Sequence, residues 1–227
     1  MIMIKNLNRY FDHSLLKPET KLSDIIALCH DAMKYDFFGI AINPCWVVDA
    51  KKELSGSNVK IISVSGFPLS ANRSDIKVAE AIKGVEDGAD EIDMVANVGY
   101  LAMGEYGRVE KEIHEVKRNL PPEIILKVII EAPRIPKNAQ IEAVMAIINA
   151  GAEYVKTATG FFGGATIEIV ERLHKAAGNK IKVKASGGIR DLHTTEKLIK
   201  AGADRIGSSA SVKIMEDYFK VQTKTEY

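Results

Sequence analysis

This sequence lacks the features that would make it a disulfide scaffold, a cysteine-rich zinc protein or a membrane protein. It has two cysteines, Cys29 and Cys45, too few for a disulfide framework or a Cys-rich metal site. Both are expected as buried thiols in a reducing compartment. No run approaches the ~18 apolar residues of a membrane span. The first residues, MIMIKNLNRYFDH, have no apolar stretch of signal-peptide length, so the cytoplasm is the expected compartment. Charge of one sign is also missing: 31 Lys and Arg stand against 30 Asp and Glu. That balance excludes the basic excess of a dedicated nucleic-acid or membrane-surface binder. What remains is a chain of 227 residues with 46 % apolar content, long enough to build a full core as one large domain or two small ones.

Two textures alternate along it. Short β-branched runs lie at 9–13, 37–42, 60–67, 91–97, 125–131, 154–159, 180–186 and 205–209. Each precedes a segment with helical periodicity or good helix formers, at 21–36, 46–54, 73–88, 105–120, 138–150, 165–177, 192–201 and 211–220. In the third, Ile76, Ala79, Ala81, Ile82 and Val85 are spaced to form one apolar face. Ser23, Asn72 or Ser74, and Thr166 are candidate helix caps. Gly-Ala-Asp/Glu recurs at 88–90, 151–153 and 202–204, each time between a helix and a strand. A glycine there supplies the left-handed residue that ends a helix. Eight β-α units at about 28 residues each predict an α/β fold, a single (β/α)8 TIM barrel. It should occupy 1–227, with a short N-terminal extension and a flexible C-terminal tail. A doubly wound open sheet is the alternative, although no Gly-x-Gly-x-x-Gly follows the first strand.

A barrel strand should be almost wholly apolar, and several here are not. Asp93 lies in the fourth, Lys127 in the fifth with Glu131 at its end, Lys156 in the sixth, and Lys182 and Lys184 in the seventh. Alternation sends Leu126, Val128 and Ile130 toward the helices and Lys127, Ile129 and Glu131 inward. By the same rule Asp93, Val95, Asn97, Lys182, Lys184 and Ser186 face the interior. A buried charge must pair, lose its charge or reach water. One reading is a structural ion-pair network without chemistry. The other is a Schiff-base site, because a desolvated lysine beside another cation has a lowered pKa and becomes a nucleophile. Adjacent strands should place Lys156 and Lys184 side by side, with a carboxylate across the barrel to handle protons.

Gly/Ser turns follow the seventh strand, at Ser186-Gly187-Gly188, and the eighth, at Gly207-Ser208-Ser209. Barrels bind phosphate with these two loops, using backbone N–H groups and a helix N-terminus. Arg190 adds charge, and Thr159-Gly160 adds further N–H groups. Plain loop turns are the competing reading. The five histidines show no ligand spacing, and no Gly-x-Ser-x-Gly elbow is present. Trp46 and Phe67-Pro68 are expected to pack or to line a pocket wall. The charged faces of 105–120 read as solvated surface.

Several segments together resemble a known family. They are Asp12-His13-Ser14-Leu15-Leu16-Lys17-Pro18, Gly66-Phe67-Pro68-Leu69, Ala89-Asp90-Glu91-Ile92-Asp93-Met94-Val95, Lys127-Val128-Ile129-Ile130-Glu131, Val155-Lys156-Thr157-Ala158-Thr159-Gly160-Phe161, Val183-Lys184-Ala185-Ser186-Gly187-Gly188-Ile189-Arg190 and Arg205-Ile206-Gly207-Ser208. Taken in order, they resemble the deoxyribose-phosphate aldolases, class I aldolases on a (β/α)8 barrel. The resemblance implies a lyase that cleaves 2-deoxy-D-ribose 5-phosphate reversibly to D-glyceraldehyde 3-phosphate and acetaldehyde, with no metal or organic cofactor. It implies Lys156 as the Schiff-base lysine, with Asp93 and Lys184 as proton donors and acceptors. Asp12 and Ser14 would hold a substrate hydroxyl, and Gly187, Gly188 and Ser209 the phosphate. Lys127, Thr159, Gly160, Arg190 and Ser208 complete the expected substrate-contacting set. A sugar phosphate and aldehydes are the expected partners, with no nucleic acid and no membrane, and the chain is expected to form a homo-oligomer. Another Schiff-base aldolase or transaldolase-like enzyme, or a non-catalytic phosphosugar-binding barrel, are the alternatives. This chain departs from the family at Ser14, where Thr is common, and at Ala158 and Ala132, which each replace a hydroxyl residue. Its loop over 160–166 is short. Some members use a C-terminal tyrosine, so Tyr227 is marked, with a frayed tail as the expectation.

Overall fold

The computed structural model describes residues 4–225; Tyr227 lies outside the described residues. Eight parallel strands close into a barrel in chain order. They are β1 (Phe11–Leu15), β2 (Gly39–Ile42), β3 (Lys60–Ser65), β4 (Glu91–Val95), β5 (Ile125–Ile129), β6 (Tyr154–Lys156), β7 (Lys182–Ser186) and β8 (Arg205–Ser208). β8 pairs with β1 through Asp12–Gly207 and its neighbours, which rules out the open sheet. The outer ring is α1 (Leu22–Lys34), α2 (Val47–Glu53), α3 (Ser74–Glu86), α4 (Val98–Met103), α5 (Tyr106–Arg118), α6 (Lys137–Ala150), α7 (Ile167–Ala177), α8 (Leu192–Lys200) and α9 (Ser211–Thr225).

All eight expected strands and helices form, and α4 is an addition. Its six residues are too few to show a period. It starts because the Asn97 side chain accepts a hydrogen bond from the Tyr100 N–H at 3.0 Å. Asn97 therefore caps a helix and does not face the interior. Thr166 caps α7 in the same way, accepting from Ile169 N–H at 3.2 Å. The other proposed caps are not used. Ser23 lies inside α1, where Asp24 accepts from the Lys21 N–H at 2.9 Å. Arg73, not Asn72 or Ser74, precedes α3.

The apolar face expected on α3 is rotated. Lys77, Ala81 and Gly84 are buried, and Ile76 is exposed. Lys77 can face inward because Glu112 of α5 meets its amine at 2.8 Å, and the Val95 carbonyl accepts from it at 2.9 Å. Glu112 also accepts from the Asn97 N–H at 2.9 Å, so one face of α5 carries a buried charge and is not all solvated surface. Cys29 is buried in α1, but Cys45 is exposed, against expectation. Trp46 packs against the core.

The Gly-Ala-acid repeat has a second function in the fold. Gly88, Gly151 and Gly202 are left-handed, with φ of 113°, 82° and 107°. Each following acid then pairs with the second residue of the preceding odd strand. Asp90, Glu153 and Asp204 accept from the N–H groups of Ile61, Leu126 and Val183 at 2.9, 2.8 and 2.8 Å. Their own N–H groups donate to the carbonyls of the same three residues. Both polar groups of a strand-start residue are thereby satisfied. Asp204→Ala should leave the Val183 N–H unpaired, a cost of about 1–3 kcal/mol. Thermal unfolding should shift down by about 2–4 °C for each kcal/mol. Asp217→Ala, at an exposed ion pair, is the control; equal melting of the two variants would refute the clamp.

Candidate functional site

The barrel interior holds a carboxylate shared by three lysines. Alternation turns Ile92 and Met94 of β4 toward the helices and leaves Asp93 inside, fully buried. Its Oδ1 accepts from Lys127 Nζ at 2.8 Å. Its Oδ2 accepts from Lys156 Nζ at 2.8 Å and from Lys184 Nζ at 2.7 Å. Lys156 and Lys184 are direct register partners across β6 and β7, as the adjacency of the two strands predicts. Burial alone would raise the Asp93 carboxyl, but the three lysines outweigh it and hold it well below the usual range. Lys156 moves the other way. Burial, reinforced by the charges of Lys184 and Lys127 and opposed by Asp93, lowers its amine to about 8. Both a low dielectric and neighbouring cations disfavour the ammonium form.

Beneath this cluster lies a second tier. Asp12 on β1 pairs with Lys184, and with Arg205 Nη1 at 3.0 Å. Glu91 pairs with Lys127 at 2.5 Å. The Arg205 guanidinium also sits 3.2 Å from the Phe38 ring centroid. Lys182 does not join them. It opens β7 at the N-terminal end of the barrel, where its side chain is exposed.

Above the cluster, at the C-terminal ends of the strands, a cavity of about 290 Å³ is bordered by the loops after β1, β6, β7 and β8. Ser14, Lys156, Thr159, Gly160, Gly187, Gly188, Arg190, Ser208 and Ser209 all reach it. Asp12, Lys127, Asp93 and Lys184 do not border it; each is engaged in ion pairs below. Among the interior lysines, only Lys156 of the network opens to the cavity. The charged residues on its border are Lys17, Lys156 and Arg190, with no carboxylate, so it suits an anion. A wider groove of about 600 Å³ at the opposite end of the barrel contains none of the network lysines.

The loops fit each other backbone to backbone. A Cβ on Gly187 would come within 2.8 Å of Gly164 Cα, and one on Gly164 within 2.7 Å of the Gly187 carbonyl carbon. Two glycines therefore let the short 160–166 loop lie directly on the loop after β7. The Ser208 hydroxyl braces the last two loops, donating to the Ile189 carbonyl at 2.7 Å and accepting from the Ala210 N–H at 2.9 Å. Phe67 does not border the cavity; it packs edge-on against Phe161, which does, with centroids 5.6 Å apart. Among the described residues, no group of three or more His, Cys, Asp or Glu side chains is arranged to hold a metal ion.

Sequence reasoning missed Lys17, Glu91, Arg205 and the place of Glu131. A lysine in a loop and charges at strand starts look like ordinary surface. The signal that was available was parity, since Glu91 stands two residues before Asp93 and so shares its face.

Comparison with known proteins agrees with this geometry. The model of the DeoC/LacD family aldolases matches residues 7–216. A deoxyribose-phosphate aldolase of Natranaerobius thermophilus is 47 % identical over 214 residues, covering 94 % of this chain and 97 % of the relative. Among solved structures, an aldolase named QR15 superposes with a TM-score of 0.92 at 37 % identity, covering 97 % of this chain and 99 % of that one. The tetrameric deoxyribose phosphate aldolase of Aeropyrum pernix gives 0.88 at 33 % identity, covering 95 % of this chain and 92 % of that one. With a shared carboxylate, a lysine open to an anion-suited cavity and matches of this extent, the chain belongs to the DeoC/LacD family of aldolases.

Proposed function

We propose that the protein cleaves 2-deoxy-D-ribose 5-phosphate reversibly to D-glyceraldehyde 3-phosphate and acetaldehyde through a Schiff base on Lys156. The observation that carries this is the position of Lys156. It is the network lysine that borders the cavity, and its amine is lowered to about 8. The neutral amine adds to the aldehyde carbon of the open-chain sugar; a proton relayed through water from the Asp93–Lys184 pair lets the hydroxyl leave as water, and a protonated imine remains. The C2–C3 bond then breaks and its electron pair flows to the iminium, giving an enamine. The 3-hydroxyl gives its proton to the Asp93–Lys184 pair through water and becomes the aldehyde of the departing triose phosphate. The enamine takes a proton at C2, and hydrolysis releases acetaldehyde and the lysine. At the far end, Gly187, Gly188, Ser208 and Ser209 offer backbone N–H groups to the phosphate. Lys17 and Arg190 supply charge, so remote binding orients the breaking bond.

Borohydride reduction in the presence of substrate should fix one adduct on Lys156, with acetaldehyde release in a coupled assay. An adduct on another lysine, or none, would refute the assignment. Activity should also rise with pH through about 8, because the attacking form is the deprotonated amine. An unshifted lysine near 10.4 would place this limb more than two units higher, and finding it there would refute the lowered amine. The tetrameric relative from Aeropyrum pernix supports a homo-oligomeric assembly for this chain, which light scattering would measure. No helix among the described residues is long and apolar enough to cross a membrane, which accords with a cytoplasmic enzyme.

A further inference from the structure

Glu131 ends the β5 run in a conformation that needs an explanation. Its φ of 48° and ψ of 54° are left-handed, a strained region for a residue other than glycine. Beyond the end of β5 the backbone still hydrogen-bonds to the β6 side, since Ile130 N–H donates to the Lys156 carbonyl and Ala132 N–H, at the start of a 3-10 turn, to the Thr157 carbonyl. The left-handed residue therefore sits where the ladder ends and the chain turns away, and it sends one side chain toward the loop after β6. That side chain is buried, and its carboxylate oxygens accept from the Thr159 N–H at 3.1 and 3.4 Å. The Thr159 hydroxyl in turn accepts from the Phe161 N–H at 3.1 Å. Thr159, Gly160 and Phe161 form the cavity wall beside Lys156.

The charges facing Glu131 are Lys156 from β6 and Arg134 from the turn that follows, and burial raises its carboxyl. Below the cavity, Asp12, Glu91 and Asp93 already balance Lys127, Lys184 and Arg205. A permanent positive charge on the Lys156 nitrogen exceeds what that set can neutralise.

We propose that Glu131 is a positioning residue for the aldol reaction, fixing the Thr159–Phe161 wall through the Thr159 N–H and supplying the counter-charge when Lys156 becomes an iminium. The proposal rests on the Schiff-base reading of Lys156. Its test compares the full-length wild type with Glu131→Gln and Glu131→Gly in steady-state kinetics, pH profile, thermal melting and borohydride trapping with deoxyribose 5-phosphate. The glutamine keeps an oxygen for the Thr159 N–H but no charge. KM should stay within about twofold, and kcat should fall roughly 10- to 100-fold. The ascending pH limb should move to lower pH, since the lost negative charge favoured the ammonium form of Lys156. A Glu131→Gln enzyme with wild-type kcat and an unmoved limb overturns the proposal. Should that variant fail to fold, Glu131→Gly decides, because glycine accepts the left-handed backbone. A folded glycine variant with raised KM and lowered kcat supports the proposal, and one with wild-type constants overturns it. Failure to trap Lys156 in the wild type is a separate result, which removes the Schiff-base reading itself.

Discussion

Lys156→Ala should lower kcat/KM for deoxyribose 5-phosphate cleavage on the order of 10⁴-fold or more and abolish the borohydride adduct. The fold should survive this change. Asp93 keeps Lys127 at 2.8 Å and Lys184 at 2.7 Å, so its carboxylate remains paired, and what is lost is an amine whose charge burial already disfavours. Lys184 is the instructive competitor. It is the register partner of Lys156, but it is fully buried and held between Asp93 and Asp12. Two carboxylates leave it neither free nor open to the cavity. Substantial residual turnover, with a new adduct on Lys184, would mean that access to the cavity does not select the nucleophile. Mass spectrometry of the reduced complex, with thermal melting as a control, makes the measurement.

Asp93→Asn should damage both stability and rate. Asparagine has nearly the same shape but leaves Lys127, Lys156 and Lys184 without the charge they share. Breaking a buried pair by removing one partner costs about 3–5 kcal/mol. For a chain of this size that is roughly 10 °C in melting temperature. The rate should fall by about 10²–10⁴, the contribution of a positioned proton carrier. The pH profile separates the two effects. Asp93 raises the Lys156 amine against the pull of burial, so its neutralisation moves the ascending limb below about 8. A variant that loses rate without moving this limb would show that Asp93 does not set the state of the lysine.

The barrel and the centre of its site were legible in the sequence for one physical reason. A strand covered on both faces admits few charges, so Asp93, Lys127, Lys156 and Lys184 stand out in runs such as ILKVI and KVKAS. Two-residue alternation then fixed their direction. Legibility failed where charge is ordinary. At strand ends the interior opens to solvent, so parity could not say that Lys182 emerges while Arg205 folds back over Phe38. On helices, a buried lysine spoils the apolar pattern, and periodicity turns α3 the wrong way because the partner that lets Lys77 be buried, Glu112, lies 35 residues away. Loops carry no period at all, so the sequence marks Lys17 only as a letter of a motif and not as a cavity residue, and nothing in the letters around Glu131 announces a left-handed backbone.

The ion network also bears on how the chain reaches its folded state. Lys184 joins Asp93, 91 residues earlier in the chain, and Arg205 joins Asp12 across 193 residues. Its members come from β1, β4, β5, β6, β7 and β8. A half-barrel containing β1 to β4 would hold Asp12, Glu91 and Asp93 with none of their lysines, and the other half would hold four cations with none of these carboxylates. Neither half can dry its interior alone at acceptable cost. Contacts this distant also slow folding, because the intervening loops must close before any attraction is gained. The ion network therefore acts during folding as a closure lock, rewarding the complete ring and penalising a division into these two halves.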